Sequence, residues 1–407
     1  MTLHRPLVPS FGRRALLAMA ASLALAGPAL AQVPVISSTP TNLASSVERM
    51  ISYRHQEHMW QTADGALHVL MNRGKLTPSS GLTLWTSTDG GSNWVAQQAW
   101  PDANYDSTGD GQLRGDLLDV AYNTAVGAIA YNQLRWDTTA GAWTLLQSET
   151  VFTPGDFVAE NPTIAVDALG NTWVTYVTSD VATGSPRIRL SSRAAGLSPW
   201  VDSGLTFGDP GAPGTGRSAR LLQVAGGMAM LYKIDETLMW ATRTDGAPAD
   251  APWVATTLFV SPPPAPRDPN ASHFSIVTDS QGALHLVMAD DGDLYYFKYT
   301  SRRDGWGSGR VLDSKATVSY CQISIGADDR LMVVYNDSAG DSKVLQSTNR
   351  GRSFSSVALL RPTPVDGASY TFSRIETPSR STLPLPVLRQ FSESRQNKLM
   401  LFTVPFP

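Results

Sequence analysis

Arginine and histidine side chains gather just ahead of apolar segments that have the length of β-strands. Arg54, His55 and His58 lie close together, and His273 stands before a second copy of the same kind of segment. An arginine holds a carboxylate through two parallel hydrogen bonds and stays charged, while a histidine exchanges a proton near neutral pH. With Glu160 and a tyrosine beside them, these groups suit binding of an acidic sugar. They also suit removal of a proton next to a uronate carboxylate.

Other chemistries lack the residues that they need. Cys321 is the only cysteine, so a disulfide within the chain is impossible, and the tight H-E-x-x-H metal spacing is missing. Asp102, Asp106 and Asp110 share an acidic stretch without EF-hand order, which we interpret as a solvated loop. We therefore predict no cofactor and no metal. A formal net charge of −3 without a basic run argues against a nucleic-acid partner.

The first 31 residues have the composition of an export signal. Arg13 and Arg14 precede an apolar run over residues 15–26, and Ala29, Leu30 and Ala31 form an A-x-A cleavage site. We predict a signal peptide over 1–31 and one domain over 32–407, in a periplasmic or secreted protein. The general secretory and twin-arginine routes both fit. No later apolar run reaches the roughly 18 residues of a membrane helix.

Behind these side chains, one turn motif organises the chain. Residues 87–94 read Ser-Thr-Asp-Gly-Gly-Ser-Asn-Trp and fit the pattern S-x-D-x-G-x-x-W. Ser and Asp side chains bond to the local backbone, Gly adopts the positive φ of a tight turn, and Trp buries a large ring. Residues 347–354 keep the same outline with Asn and Phe in place of Asp and Trp. The motif predicts a hairpin turn between two strands.

Glycine turns and aromatic markers recur in step along the chain. The predicted second strands, each after a polar turn, are residues 66–71, 128–131, 172–177, 228–232, 283–288 and 331–335. The predicted fourth strands are marked by Trp94, Trp143, Trp200, Trp253, Trp306 and Phe354, which lie 49, 57, 53, 53 and 48 residues apart. A period of about 40–55 residues with four strands per unit is typical of a β-propeller.

The predicted fold is therefore all-β, a single β-propeller of four-stranded antiparallel sheets. We favour seven blades over six because a further turn and strand, residues 398–404, follow the last complete unit. An N-terminal strand over residues 33–37 would pair there and close the ring, which removes an open edge. Residues 363–381 do not fit the repeat and are predicted to form a loop or an extra hairpin.

The motif and its repetition resemble the Asp-box, or bacterial neuraminidase repeat, of the sialidase superfamily, most clearly over residues 53–94. The resemblance implies that Arg54 is the first of three arginines that grip a substrate carboxylate, and that Arg73 marks the family's Ala-Glu-x-Arg stretch. No carboxylate follows Arg73 to serve as the family's acid–base Asp. The family's Tyr nucleophile and its Glu partner are assigned to Tyr370 and Glu160.

The remaining arginines of that triad have three candidates, Arg217, Arg220 and Arg389, which precede or lie in predicted first strands. The complete site prediction has two parts. The catalytic residues are Arg54, Arg73, Glu160 and Tyr370, and the substrate-binding residues are His55, His58, Arg217 and His273.

Two classes of function fit these residues. The first is a glycan-active enzyme, either a sialidase-like glycoside hydrolase with a Tyr nucleophile or a polysaccharide lyase of acidic glycans that uses His, Tyr and Arg. The second is a non-catalytic propeller that binds a glycan or a protein through its axial face. The predicted partner is a carbohydrate or glycoconjugate, with an extracellular protein as the alternative.

Overall fold

The computed structural model describes residues 33–405, apart from 52–54, 77–80, 197–198, 208–217, 235, 262–272, 302–304, 319, 337–340, 362–370, 383 and 394–395. These residues form one compact unit made of antiparallel sheets arranged as a seven-bladed β-propeller. Within the described part of the chain, no helix is long and apolar enough to cross a membrane.

Each blade has four strands, which are numbered here in chain order. The innermost strands are β3 (Met59–Gln61), β7 (Gly109–Arg114), β11 (Phe157–Val166), β15 (Ser218–Val224), β19 (His273–Thr278), β24 (Cys321–Ile325) and β28 (Thr371–Glu376). The second strands are β4 (Leu67–Asn72), β8 (Leu117–Asn123), β12 (Thr172–Asp180), β16 (Gly227–Ile234), β20 (Leu284–Asp290), β25 (Leu331–Asn336) and β29 (Leu385–Glu393). Blades are numbered 1 to 7 from β3 to β28.

The outer half of each blade repeats the same order. The third strands are β5 (Leu82–Ser87), β9 (Ile129–Asp137), β13 (Pro186–Arg193), β17 (Thr237–Thr244), β21 (Gly292–Thr300), β26 (Ser342–Ser347) and β30 (Gln396–Val404). The outermost strands are β6 (Val95–Ala99), β10 (Ala142–Phe152), β14 (Val201–Phe207), β18 (Val254–Val260), β22 (Gly305–Trp306) with β23 (Arg310–Val318), β27 (Ser355–Arg361) and β2 (Thr39–Ser45). A short strand, β1 (Val35–Ser37), adds a fifth member to blade 6.

The N-terminal segment closes the ring, but with a different stretch from the one predicted. β2 pairs antiparallel with β30 in blade 7, whereas β1 pairs parallel with β27 in blade 6. Burial explains the choice, since Leu43 in β2 is 1% exposed and Val35 in β1 is 47% exposed. Leu43 packs in one apolar cluster with Trp94 and Leu401, so the stretch with the buried leucine completes the blade.

Three further predictions about strands are wrong. Residues 371–376 are not a loop but the innermost strand of blade 7, and its charged Arg374 and Glu376 are buried. Residues 129–131 belong to the third strand of blade 2, because β7 and β8 are joined by only Gly115 and Asp116. Arg389 lies in the second strand of blade 7 and is fully buried.

The 87–94 turn joins the third and fourth strands of blade 1 and has the predicted hydrogen bonds. The Ser87 hydroxyl donates to Asp89 Oδ1 (2.7 Å) and accepts from the Gly91 amide (2.8 Å). The Trp94 indole donates to the Gly91 carbonyl (2.9 Å). The 347–354 turn of blade 6 repeats the amide contact, from Gly351 to the Ser347 hydroxyl (2.8 Å). Both turns therefore fix their own shape through a serine hydroxyl and a glycine amide.

The aromatic markers join each blade to the one before it. Five such contacts connect the outer part of a blade to the preceding blade: Trp143 to His68, Trp200 to Tyr131, Trp253 to Trp173, Trp306 to Trp240 and Phe354 to Tyr296. Their ring centroids lie 4.8, 5.3, 6.4, 5.2 and 4.9 Å apart in that order. The regular spacing seen in the sequence therefore reflects packing between blades.

Candidate functional site

A short stretch of backbone crosses the axis of the propeller. This axial segment, residues 55–58, leads into β3 of blade 1 yet contacts blades on the far side. The His55 ring stacks on Phe274 of blade 5, with centroids 3.4 Å apart. The Gln56 amide donates to the carbonyl of Pro162 in blade 3 (2.7 Å) and to the hydroxyl of Thr108 (3.3 Å). The axial segment thus fills the channel at the top face, where the innermost strands begin.

An ion triad holds the axial segment in place. Arg220, on β15 of blade 4, donates from Nη2 to Glu57 (2.8 Å) and from Nη1 to Asp110 on β7 of blade 2 (2.5 Å). Asp110 also accepts the backbone amides of Glu57 (2.6 Å) and of Ile164 in blade 3 (2.8 Å). Four blades therefore meet at one buried carboxylate, because Asp110 is fully buried.

The charges of the triad are not balanced. Burial raises the pKa of Glu57; Arg220 opposes this shift, and the neighbouring carboxylates of Asp110 and Glu376 add to it. Burial also disfavours the charged form of Arg220, but Asp110 and Glu57 outweigh this effect and raise its pKa. The arginine thus stays charged, while the Glu57 carboxyl is held in surroundings with an excess of negative charge.

A second buried contact continues this network towards blade 7. Nδ1 of His58 lies 3.4 Å from a carboxylate oxygen of Glu376, at the end of β28. Both side chains are almost completely buried. The backbone amide of Ser379, three residues after Glu376, donates to Glu57 (3.4 Å). Neighbouring residues of the axial segment thus reach blade 7 as well.

Below the triad the channel opens into a cavity of about 740 Å³. All seven blades line it, and its mouth lies at the bottom face, where the innermost strands end in turns. The mouth is surrounded by exposed residues in these turns and at the strand ends beside them: Ala63, Gly115, Gln223, Ala225, Ser280 and Arg380. On the side of His55 and Gln56, the described residues border a void of about 20 Å³. Glu57 and Arg220 border both spaces, so the ion pair is the floor of the larger cavity.

The cavity wall mixes amide, charged and apolar groups. Gln61, Gln112 and Gln223 supply carboxamides, and Leu113 and Leu222 are among the apolar residues. Two of the carboxamides are anchored: Gln61 Oε1 accepts the Thr382 amide (2.8 Å), and Gln112 Oε1 accepts the Val166 amide (2.6 Å). Their amide nitrogens thus remain as donors of fixed position, since a carboxamide has both an acceptor and two donors.

Two charged groups stand at the rim. Arg380 Nη2 donates to the Thr278 carbonyl (2.9 Å). Asp279 accepts from Gln281 and Ala283 amides (2.9 and 2.8 Å) and lies 3.2 Å from His285 Nε2. Burial lowers the pKa of His285 to about 4, against the opposing effect of Asp279, so this histidine is neutral at neutral pH. The Asp279 carboxyl group therefore has no cationic histidine beside it at neutral pH.

The predicted site residues are scattered. Arg54, Arg217 and Tyr370 lie outside the described residues. Arg73 follows β4 and stacks over Trp85 at 5.2 Å, away from the axial residues, and Glu160 is exposed on β11. The sialidase-like and lyase roles assigned to these residues stay predictions.

The structure does bring the three predicted histidines to the top half of the axis. The His55 and His273 rings meet edge to face at 6.1 Å, and His273 Nδ1 lies 3.1 Å from the Cys321 carbonyl. His55, His58 and His273 are all buried. Their common position belongs to the packed filling of the channel, and the cavity lies on the other side of the triad.

Sequence reasoning missed the residues that form the cavity floor. The acidic stretch predicts a solvated loop at Asp110, whereas the structure buries this residue fully and bonds it to Arg220. The sequence pattern indicates no role for Glu57, although this residue lies between His55 and His58 and follows Arg54 by three positions. The signal that was present is Arg220 in a first strand. A charged residue there needs a carboxylate partner at the axis.

Among the residues that the structure describes, no group of three or more His, Cys, Asp and Glu side chains is placed to hold a metal ion. Cys321 is buried, and burial raises the pKa of its thiol far above the ordinary value. Its sulfhydryl donates to the His273 carbonyl (3.3 Å). A buried thiol of this kind is not nucleophilic.

Comparison with known proteins gives likeness of fold. No family model and no curated protein matches the sequence. A fungal alcohol oxidase of the AA5 family, solved in complex with copper, is similar at a TM-score of 0.52 and 12% identity, over 91% of this chain and 76% of that one. At that identity the likeness concerns the fold alone.

Two further solved structures are similar at lower TM-scores. A fucose-recognising lectin from Aleuria aurantia, a six-bladed β-propeller, gives a TM-score of 0.48 at 12% identity, over 78% of this chain and 99% of that one. A Trypanosoma rangeli sialidase in complex with the inhibitor DANA gives 0.47 at 11% identity, over 90% of this chain and 57% of that one. At these scores neither likeness says what this chain binds.

Proposed function

We propose that this protein is a glycan-binding β-propeller and that a sugar residue of its ligand occupies the axial cavity from the bottom face. The observation that carries the proposal is the cavity itself, about 740 Å³ in volume and lined by all seven blades. That volume lies within the range of about 300–1,000 Å³ that small-molecule sites occupy. The second space described along the axis is only about 20 Å³ in volume, so the larger cavity is the one of ligand size.

The lining supports a sugar as the ligand. A sugar ring presents hydroxyls that both donate and accept hydrogen bonds, together with apolar C–H faces. Gln61, Gln112 and Gln223 offer amide donors, Glu57 offers an acceptor, and leucine side chains offer apolar surface. Few polar groups at fixed positions within an apolar wall are typical of a specific site for a small ligand.

The direction of access follows from the axial segment. His55 and Gln56 fill the channel at the top face and bond to blades 2, 3 and 5. A ligand that reached Glu57 from that side would have to displace a stacked ring and two hydrogen bonds. From the bottom face it meets the exposed side chains of Gln223 and Arg380 and an open mouth.

A relation to the Asp-box sialidase superfamily is part of the proposal. The 87–94 and 347–354 turns have the serine–glycine hydrogen bonds that the sequence motif predicts. This observation favours a second candidate function, hydrolysis of sialic-acid-type glycosides. Its test is release of sialic acid from a fluorogenic sialoside, with Arg54→Ala as the variant that should abolish it.

The main proposal is tested by binding. A glycan array selects ligands for wild-type protein, and titration calorimetry then measures the affinity of the best saccharide. Ala63→Trp places an indole at the mouth and should abolish binding, while Ala182→Trp, in the exposed turn after β12 on the top face, should leave it unchanged. Equal affinity in both variants would place the ligand elsewhere and overturn the proposal.

A milder pair of variants tests the wall. Gln223→Ala removes an exposed amide of the cavity, and Gln98→Ala removes an amide from the outermost strand of blade 1. We expect the first to weaken binding about 5- to 10-fold, as loss of one hydrogen bond does, and the second to have no effect. Identical affinities would contradict a role for the wall amides.

We further propose that residues 1–31 are removed on export and that the mature chain begins at Gln32. The A-x-A sequence directly before Gln32 supports this cleavage position. Intact-mass measurement of protein recovered from the periplasm or medium tests it. A mass that includes residues 1–31 would refute it.

A further inference from the structure

We infer that the axial cavity selects a sugar that carries an amino group over the same sugar carrying a carboxylate. This inference rests on the proposed function, since it concerns the ligand of the same cavity. The amino sugar proposed here differs in charge from the acidic glycan that the arginine residues of the sequence suggest. The reason lies in the hydrogen bonds that Arg220 makes at the cavity floor.

Arg220 is already occupied on both sides. Its Nη1 donates to Asp110 and its Nη2 donates to Glu57, at 2.5 and 2.8 Å. A ligand carboxylate needs the same fork of donors. To bind there it would have to displace Glu57 and leave that carboxylate buried beside a second anion. Arg220 is therefore bound by Asp110 and Glu57 and is not available to a ligand carboxylate.

The charges around the cavity favour a cation. Among the described residues that line it, the ionisable groups are Glu57, Asp279, Arg220 and Arg380. Asp110 adds a further carboxylate directly behind Arg220, so three acids face two guanidinium groups. Arg380 is exposed to solvent at the rim, where water screens its charge. Because Asp279 shares the rim with Arg380, the described residues of the deep part are Glu57, Asp110 and Arg220, which place two acids beside one guanidinium group.

Glu57 is the group that a cation would contact. The Glu57 side chain is 14% exposed and borders the cavity. It is packed against Asp110, Arg220, the Ser379 amide and the His58–Glu376 pair. Burial raises the pKa of Glu57, and the carboxylates of Asp110 and Glu376 raise it further. An ammonium group beside Glu57 would stabilise its ionised form, because opposite charges at low dielectric attract strongly.

The test compares three methyl glycosides with one ring: glucosaminide, N-acetylglucosaminide and glucuronide. At about pH 6.5 the amine and the uronate are both ionised. We expect the glucosaminide to bind at least about tenfold more tightly than the glucuronide, with the neutral sugar between them. At about pH 5, where Glu57 is more protonated, the advantage of the amine should shrink.

Glu57→Gln removes the charge while keeping the shape, and should reduce the amine preference to less than about twofold. Glu48→Gln, at an exposed position outside the cavity, should leave the preference for the amine unchanged. Circular dichroism verifies folding, and the pH series on the wild type provides the test if the Glu57 variant does not fold.

The outcomes separate the two proposals. If the neutral sugar binds and the glucuronide binds as tightly as the glucosaminide or more tightly, this inference is overturned and the glycan-binding function stands. A pH-independent preference for the amine overturns the role of Glu57. If none of the three binds and the glycan array is silent, the proposed function fails and the inference fails with it.

Discussion

The His55 ring lies parallel to Phe274, with 3.4 Å between the ring centroids and 13° between the ring planes, although the two residues are 219 positions apart. Phe274 also donates its backbone amide to His55 Nδ1 (3.4 Å). One side chain of blade 1's leading segment thus caps the innermost strand of blade 5. The contact spans the axis and fixes which end of the channel is closed.

Loss of this stack should destabilise the protein. We expect His55→Ala to lower the free energy of unfolding by about 2–4 kcal/mol, because it removes an aromatic contact and leaves a cavity in a packed site. His55→Phe keeps a flat ring and should cost much less. Urea unfolding followed by tryptophan fluorescence measures both variants. Equal losses would show that ring stacking is not the stabilising element.

The ion triad gives a second prediction. Arg220→Leu leaves Asp110 and Glu57 buried without their cation and should cost about 3–5 kcal/mol. Arg135→Leu breaks an exposed pair with Asp116, whose side chains are 55% and 58% exposed, and should cost about 0–1 kcal/mol. Thermal unfolding compares the two. A small effect for Arg220 would mean that water or other groups replace its charge.

Adjacent glycines of the 87–94 turn offer a matched pair. Gly90 and Gly91 both have positive φ, +71° and +91°, but only Gly91 is confined, since a Cβ there would lie 2.4 Å from Leu401. Gly90→Ala should cost about 1 kcal/mol for the backbone alone, and Gly91→Ala about 1–3 kcal/mol more. Chemical denaturation measures the difference. Equal costs would argue that blade 7 moves aside.

Stability should fall in mild acid because of two buried histidines. Burial lowers the pKa of His68 to about 3 and that of His285 to about 4, whereas an unfolded histidine titrates near about 6.5. Below that value the unfolded chain binds more protons, so stability decreases as pH falls towards the folded pKa values.

The variant His68→Gln should flatten this dependence between about pH 7 and about pH 4. His68 contacts Thr62, Thr86 and Trp143 through its ring nitrogens (3.1, 2.8 and 3.0 Å), and a neutral amide can replace part of that set. Unfolding free energies at several pH values measure the slope. An unchanged slope in the variant would assign the effect to other groups.

The local sequence pattern was sufficient to predict the blades. The site is formed by contacts between residues that are far apart in the sequence. Trp143 and Trp200 could be assigned to fourth strands because the blades share one sequence spacing. Each of these residues packs against the preceding blade. Gln56 and Pro162 are 106 positions apart, and Glu57 and Arg220 are 163 apart. Neither pair belongs to a repeat, so no periodicity in the sequence connects them.

The misassigned residues fail for a shared physical reason. Asp110 and Glu376 are carboxylates in innermost strands, where their polarity suggests loops by local criteria. They are buried because partner groups reach them from other parts of the ring: the guanidinium of Arg220 contacts Asp110, and the ring of His58 contacts Glu376. Only the closed ring supplies those partners.

Ring closure by β2 also sets an order of events during synthesis. The Thr41 hydroxyl donates to the Leu399 carbonyl, 358 positions later, so the first strand made for blade 7 pairs with the last. At about 5–20 residues per second, β2 waits on the order of 20–70 seconds for its partner. Throughout that time Leu43 and Trp94 lack the Leu401 side chain that shares their cluster. The nascent chain therefore exposes an apolar surface near its N-terminal strands until β30 has been synthesised. A holdase chaperone covers surfaces of this kind.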